Sequence, residues 1–371
     1  MLILPLDNPF YMGALIALAC FFLVQLYYYL RFILWFGVKK ERDRGEQKEG
    51  VSVIIPVYFY DESFFDTLKV VLNQEYDKYE VIAINVNANE VVEEQLGMLA
   101  SEYQHLHVTF LPEGNQFSKK IAITIGAKAA KNDWLLFVDS SCRIESAKWL
   151  SQMAGEMVES NDVVIGYANN DYVASGVNHL FRLERLYRNI FAFAFGRAGY
   201  SVAFDGRNVA FRKKMFFDHK AFAGVMNESF AENELLLPRY INTKNVGVVT
   251  TDGSAVKYDE YLRLKDWGDL VKKHRWVLRK YNFKRKNLFY VEILSRLLFW
   301  TTALLLIIKG VALPVVLGVI GFRLILQIVG FKLAINRLGE RKILLSSLAY
   351  DLLLPIIMFI GFLKELLNIK R

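Results

Sequence analysis

Four stretches of the chain are apolar almost without interruption: residues 11–36, 289–308, 311–335 and 343–367. Each is near or above the ~20 residues that a helix needs to cross the hydrocarbon core of a bilayer. The first carries one charge, Arg31, and the basic cluster KKERDR follows it. A secretory leader has basic residues before a short apolar core and small residues after it, so this segment reads as a retained anchor. Pro355 lies inside the last stretch, which leaves a kinked or re-entrant helix open there. Residues 50–287 are of mixed character and long enough to bury a core of their own.

In that middle region the pattern changes period. VSVIIPVY (51–58) is a continuous β-branched run, the signature of a strand buried on both faces. The next segment, DESFFDTLKVVLNQ, sets Phe64, Phe65, Leu68, Val71 and Leu72 at the spacing of an amphipathic helix. EVIAINV and HVTFL predict two more strands, SKKIAITIGAKAAKN a second helix and DWLLFVD a fourth strand. This alternation predicts an α/β class with a doubly wound, mostly parallel sheet. Ligands of such sheets bind beyond the carboxyl ends of the strands, which here are residues 56–58, 85–87 and 139–143.

Charge adds orientation. Among 371 residues, 54% are hydrophobic and the net charge is +8. The basic residues gather beside the apolar stretches: Lys39, Lys40, Arg42 and Arg44 after the first, Lys284, Arg285 and Lys286 before the second, and Arg337, Arg341 and Lys342 between the last two. The positive-inside rule then places the middle domain in the cytoplasm, and anionic lipid, rather than nucleic acid, becomes the expected partner. The expected plan is an N-terminal transmembrane anchor (1–38), a cytoplasmic domain (39–287) and about three C-terminal transmembrane helices (288–371). Cys20 and Cys142 have no metal-ligand spacing and are expected to be inert. Glu292, Arg296, Arg323 and Asp351 are costly in lipid and should face protein or the interface; Glu292 and Arg296, one helical turn apart, are placed to pair.

The order of short motifs carries more. PVY, a helix ending in NQEY, EVIAINVNANE, a lysine-led helix and LLFVDSSC are followed by GRNVAFRKKMF, AENELL and KKHRW. Over residues 51–276 this series resembles the nucleotide-sugar domain of membrane-bound family 2 glycosyltransferases. The resemblance implies a GT-A-like sheet, a UDP- or GDP-sugar donor and transfer by inversion to a lipid-linked or membrane-associated acceptor in a bacterial inner membrane. It also places residues. Pro56, Tyr58, Asn85 and Asn87 would hold the base and ribose, and Lys119 and Lys120 would meet phosphate. Asp139, with Ser141, would bind ribose or help hold a divalent cation, Mg or Mn. Gly206, Arg207 and Asn208 form the acceptor-side loop, Glu232, Asn233 and Glu234 the acidic catalytic motif, and Lys272, Arg275 and Trp276 the counterpart of QxxRW.

Several acids of the family pattern are absent. The second carboxylate of the metal motif is Ser141, the aspartate pair after the second strand is Asn85 and Val86, and the general-base position aligns with Asn233. An amide cannot take a proton from a hydroxyl at neutral pH. Two readings follow. In one, Glu232 or Glu234 serves as base and Lys119, Lys120, Lys272 and Arg275 take over the work of a cation, since fixed charges also stabilise a leaving diphosphate. In the other, the domain is a catalytically impaired binding or scaffold subunit with partner proteins in glycan assembly. Asp205 is a candidate substitute acid, and Gly206 beside it predicts a close backbone approach or a positive φ. Residues 179–213 mix Arg182, Arg185, Arg188, Arg197 and Arg207 with aromatics, as a membrane-surface helix or an amphipathic core helix would. The basic run 265–286, with Trp267, Trp276 and Tyr281, fits an interfacial helix that would draw in a phosphorylated lipid.

Overall fold

The computed structural model describes residues 8–38, 49–58, 62–86, 89–111, 118–196, 200, 202, 205–228, 232–241, 245–251, 253–258 and 263–368. The elements run α1 (Pro9–Gly37), β1 (Val51–Val57), α2 (Glu62–Leu72), β2 (Tyr79–Asn85), α3 (Glu90–Glu102), β3 (Leu106–Phe110), α4 (Ser118–Ala129), β4 (Trp134–Val138), β5 (Cys142–Arg143), α5 (Trp149–Ala154), β6 (Val163–Gly166) and β7 (Ala168–Asn170). They continue with α6 (Gly176–Phe195), β8 (Asn208–Arg212), α7 (Lys213–Asp218), α8 (Glu232–Tyr240), β9 (Val246–Val249), β10 (Val256–Tyr258), α9 (Leu264–Lys280), α10 (Phe283–Ile308), α11 (Leu313–Arg337) and α12 (Leu344–Asn368). They form two compact units, Met1–Lys40 with Phe283–Arg371, and Glu41–Asn282.

The unit Glu41–Asn282 is mixed α/β. Its seven-stranded sheet has the order β3-β2-β1-β4-β8-β6-β9, and a three-stranded sheet has the order β5-β10-β7. β1 lies parallel to β2 and β4, and every one of its residues is buried, as a β-branched run flanked by strands should be. Proline in a central strand removes a ladder donor. Val57 turns its carbonyl to Val86 on the β2 side, so Pro56 turns its nitrogen toward β4, where pairing has already ended at Ile54 and Phe137. The sequence pattern did not anticipate β8, which runs antiparallel to both β4 and β6.

α6 settles the choice left open for its segment. From Phe181 to Phe195 every residue is buried, so it is a core helix and not a surface one. Its charges are matched inside: Arg188 Nε donates to Glu184 at 2.8 Å, and His274 Nδ1 of α9 lies 2.7 Å from the same oxygen. Burial pushes the His274 imidazole below its ordinary value, against the pull of Glu184.

The other unit consists of α1, α10, α11 and α12, each long and apolar enough to cross a membrane. α12 passes Pro355 as one continuous helix, so it is not re-entrant. Gly310, at φ +68°, makes the turn between α10 and α11 that a side chain would strain. Between the helices sits a charge network of two cations and two anions. Arg323 Nη2 donates to Asp351 Oδ2 at 2.6 Å, to the Tyr29 hydroxyl at 3.0 Å and to Gln25 Oε1 at 3.1 Å. Arg296 Nη1 lies 3.1 Å from Asp351 Oδ1, and Arg296 also pairs with Glu292. All four charges are at most 2% exposed. The pair expected from spacing is thus half of a balanced set, which is the only inexpensive way to keep such groups out of water.

Candidate active site

The carboxyl edge of the large sheet gathers a compact polar cluster. Asp139 follows β4 directly and is buried. Its Oδ2 accepts from Lys119 Nζ, at the start of α4, at 2.8 Å; its Oδ1 accepts from the Tyr58 hydroxyl just past β1, from Ser141 Oγ at 2.9 Å and from Ser141 N at 3.1 Å. Lys119 also donates to the Tyr58 oxygen at 3.1 Å. Burial alone would raise the Asp139 carboxyl, but Lys119 and Arg207 hold it well below the usual carboxylate range. Burial pushes the Tyr58 phenol up, so it stays a neutral donor.

A second carboxylate stands across the cluster. Glu234, in the first turn of α8, is 4% exposed and pairs with Lys273 Nζ of α9 at 2.7 Å. Burial opposes its charge, yet Lys273 brings it down to about 2, and the charge of Lys119 acts in the same direction. Asn233 donates to the Gly206 carbonyl at 3.0 Å, while its Oδ1 is buried with no hydrogen-bond partner among the described residues. Arg207 stacks on Tyr258 at 4.2 Å, and Arg185 covers the same ring at 4.3 Å. Asp205 accepts from Arg207 N at 3.0 Å and from the Tyr258 hydroxyl at 3.2 Å.

The part of this edge from Tyr58 to Arg207 lies inside the stretch that comparison with known families identifies, and Glu234, Tyr258 and Lys273 follow it. Residues 52–232 match the model of glycosyl transferase family 2. They are a family 2 glycosyltransferase domain. No curated protein matches the sequence. Among solved structures, the chain is similar to the mannosyltransferase PcManGT from Pyrobaculum calidifontis, bound to GDP-Man and Mn2+, with 14% identity, a TM-score of 0.52, and 91% of this chain and 97% of that chain covered. S. aureus TarS in complex with UDP-GlcNAc matches with 15% identity and a TM-score of 0.45, covering 68% and 73%. A further TarS crystal structure gives 16%, 0.44, 68% and 72%. At such identities the likeness is one of fold.

Within the glycosyltransferase domain the anticipated residues divide. Tyr58, Lys119, Asp139 and Ser141 come together as one cluster, and Gly206, Arg207, Asn233 and Glu234 adjoin it. Pro56 is buried within β1. Four expectations need correction. Lys120, 4% exposed, gives its ammonium to the carbonyls of Val225 at 3.0 Å, Met226 at 3.4 Å and Glu228, so it clamps a loop and is not open to phosphate. Lys272 points away, with 76% of its side chain exposed and an ion pair to Asp269. Its neighbour Lys273 reaches the site instead, because the buried stripe of α9 (Leu270, Val271, His274, Arg275, Val277 and Leu278) leaves position 273 at its edge and 272 on the far face. Asn208 is 2% exposed and saturated by Tyr167 O, Ser254 O and Trp149 Nε1, a packing role and not an acceptor contact. Asn85 spends its amide on the backbone of Asn89, closing the loop into α3. Arg275 is buried in α9, and Trp276 carries Lys280 over its ring at 4.4 Å. Asn87 lies outside the described residues, as does the side chain of Glu232.

The donor set does not fit a divalent metal. Hard cations take several oxygen ligands. Here one carboxylate has both oxygens engaged, one of them by an ammonium 2.8 Å away, and among the described residues no three His, Cys, Asp or Glu side chains converge. Lys119 puts a fixed positive charge 2.8 Å from the Asp139 carboxylate instead.

Gly206 can be tested directly. A Cβ there would lie 2.5 Å from Asn233 Cβ and 3.0 Å from Glu234 N, so close approach, not a positive φ, is what the position demands. Gly206→Ala should displace the first turn of α8, lowering stability by about 1–3 kcal/mol and nucleotide binding with it. Gly268→Ala in α9 meets nothing within 4 Å and should be neutral or slightly stabilising. Thermal melts of the two variants side by side check this.

Proposed function

We propose that the protein transfers a sugar from a nucleoside diphosphate donor to a membrane-associated, lipid-linked acceptor, by a single inverting displacement and without a metal. The observation that supports this best is the set of cations, Lys119, Lys273 and Arg207, around two buried carboxylates at the carboxyl edge of a family 2 sheet. Fixed ammonium and guanidinium groups stabilise the charge that develops on a departing diphosphate. Glu234 is the carboxylate placed beside the acceptor-side loop, and it serves as the base. Two features favour a membrane acceptor: the four apolar helices, and the basic outer face of α9. A bacterial inner membrane with the domain on the cytoplasmic side agrees with the distribution of lysine and arginine.

A second reading has its own observation. Asn233 occupies the expected base position and Glu234 is neutralised by Lys273, as in a domain kept for binding alone. Glu234→Gln separates the two: loss of the cellular phenotype with normal accumulation excludes the binding-only role.

The donor reading is checked with the full-length protein in detergent, melted with UDP or GDP present. Saturation at ~100 times Kd adds about 2.7 kcal/mol, a rise of roughly 5–10 °C, and excess EDTA should leave it unchanged. No shift with either nucleotide overturns donor binding; a shift abolished by EDTA overturns the metal-free chemistry.

A further inference from the structure

Two ammonium–carboxylate pairs lie at this edge, Lys119 with Asp139 and Lys273 with Glu234, at 2.8 and 2.7 Å. They differ in exposure and in surroundings. Asp139 keeps three other donors if its lysine leaves: the Tyr58 hydroxyl, Ser141 Oγ and Ser141 N. Lys273 is the strong partner of Glu234, with Lys119 acting on it only at a distance. Lys273 has 22% of its side chain exposed, whereas Glu234 has 5%. The cation is therefore within reach of an arriving anion, and the carboxylate is not.

We propose that Lys273 is a donor-operated latch on Glu234: an arriving diphosphate draws the Lys273 ammonium onto its own oxygens, and the carboxylate so released becomes the base for the acceptor hydroxyl. The proposal rests on the donor reading above. Before donor binds, the lysine neutralises the Glu234 carboxylate beside Gly206 and Asn233, so that carboxylate activates no hydroxyl. Afterwards Glu234 takes the proton of the acceptor hydroxyl while that oxygen bonds to the anomeric carbon. The bond from that carbon to the phosphate oxygen breaks, and the diphosphate leaves with its electron pair, neutralised by Lys119 and Lys273. The buried Asn233 Oδ1, without a hydrogen-bond partner among the described residues, is an acceptor that a sugar hydroxyl satisfies in the same step. Lys273 is thus a positioning residue, acting through Glu234 and through the phosphate. Its location one residue after Lys272, on the edge of the buried stripe, is what puts it within reach of both.

Calorimetric titration of the full-length protein with UDP and GDP near pH 5, in two buffers of different ionisation enthalpy, tests the latch. In the wild type, binding should be accompanied by proton uptake as Glu234 returns toward the ordinary carboxyl value of ~4.3. Glu234→Gln should abolish that uptake and bind nucleotide at least as tightly, because its lysine is no longer held by a charge. Lys273→Gln should weaken binding by roughly tenfold or more. Because that variant leaves a buried carboxylate unmatched, the double variant Lys273→Gln with Glu234→Gln, which carries neither charge, is measured beside it and should show weak binding without uptake. Equal uptake in wild type and Glu234→Gln overturns the latch, as does wild-type affinity in the double variant. Absence of any binding to the wild type overturns the donor reading itself, and the latch with it.

Discussion

Replacing Asp351 by alanine is expected to cost the four-helix unit about 3–5 kcal/mol, enough to lower the ratio of folded to unfolded protein by about two to four orders of magnitude. The carboxylate is the shared acceptor of the network: it takes Arg323 Nη2 at 2.6 Å, Arg296 Nη1 at 3.1 Å and the Tyr29 hydroxyl at 3.0 Å. Without it two guanidiniums, both 0% exposed, share one carboxylate, Glu292. Neither can reach water, so the penalty is that of an uncompensated buried charge and not merely of a missing hydrogen bond. Removing one charge of each sign should restore most of the loss: Arg323→Leu with Asp351→Leu leaves the Arg296–Glu292 pair intact and puts apolar groups where apolar groups are cheap. Recovery of monodisperse protein after mild extraction, and its melting temperature, report both outcomes. A single variant that melts like the wild type would show that these charges do not hold the helices together.

Lys119→Met should be the most damaging change in the glycosyltransferase domain. It removes the ammonium 2.8 Å from Asp139 and 3.1 Å from the Tyr58 oxygen, and it takes away the cation that would meet the diphosphate. Nucleotide affinity should fall roughly tenfold to a hundredfold, the range of a charge-assisted hydrogen bond. Stability should fall by about 3 kcal/mol, the low end for a broken buried pair, since Tyr58 and Ser141 still donate to the carboxylate. The pH dependence has a defined sign. Asp139 is held below its unfolded value by Lys119, so its contribution is complete above the ordinary carboxyl pKa of ~3.9 and is lost only as pH falls through the lower folded value. Without Lys119 the folded value rises, and acid unfolding should begin at a higher pH. Titration with UDP or GDP and an acid-unfolding curve measure the two effects; unchanged affinity would remove Lys119 from the donor site.

Much of this was legible before any coordinates. The apolar runs of β1, β2 and β4 and the lysine-led α4 were readable because a strand buried on both faces, or a helix with one wet face, leaves a pattern in the sequence. Asp139 was readable because a carboxylate ending a buried strand has few structural reasons to be there. Illegible were features decided across distance. Whether Lys119 or Lys120 meets phosphate depends on a loop, residues 225–228, more than a hundred positions away. The motif points to Lys272 because it records spacing and not helical phase; the buried stripe of α9 separates that residue from Lys273. That Arg185 and Arg207 share the Tyr258 ring carries no local signal, because α6 and β10 meet only in the folded domain.

The division of charge among the helices bears on how the chain is made. Within α10 the buried Glu292 and Arg296 neutralise each other, whereas the buried Arg323 of α11 has its counterion, Asp351, on α12. During synthesis α11 emerges first and would meet lipid with an unmatched guanidinium until α12 follows. In a bilayer the two would therefore have to be released from the insertion machinery together, as a hairpin, and the last helix would be the step that completes the four-helix unit.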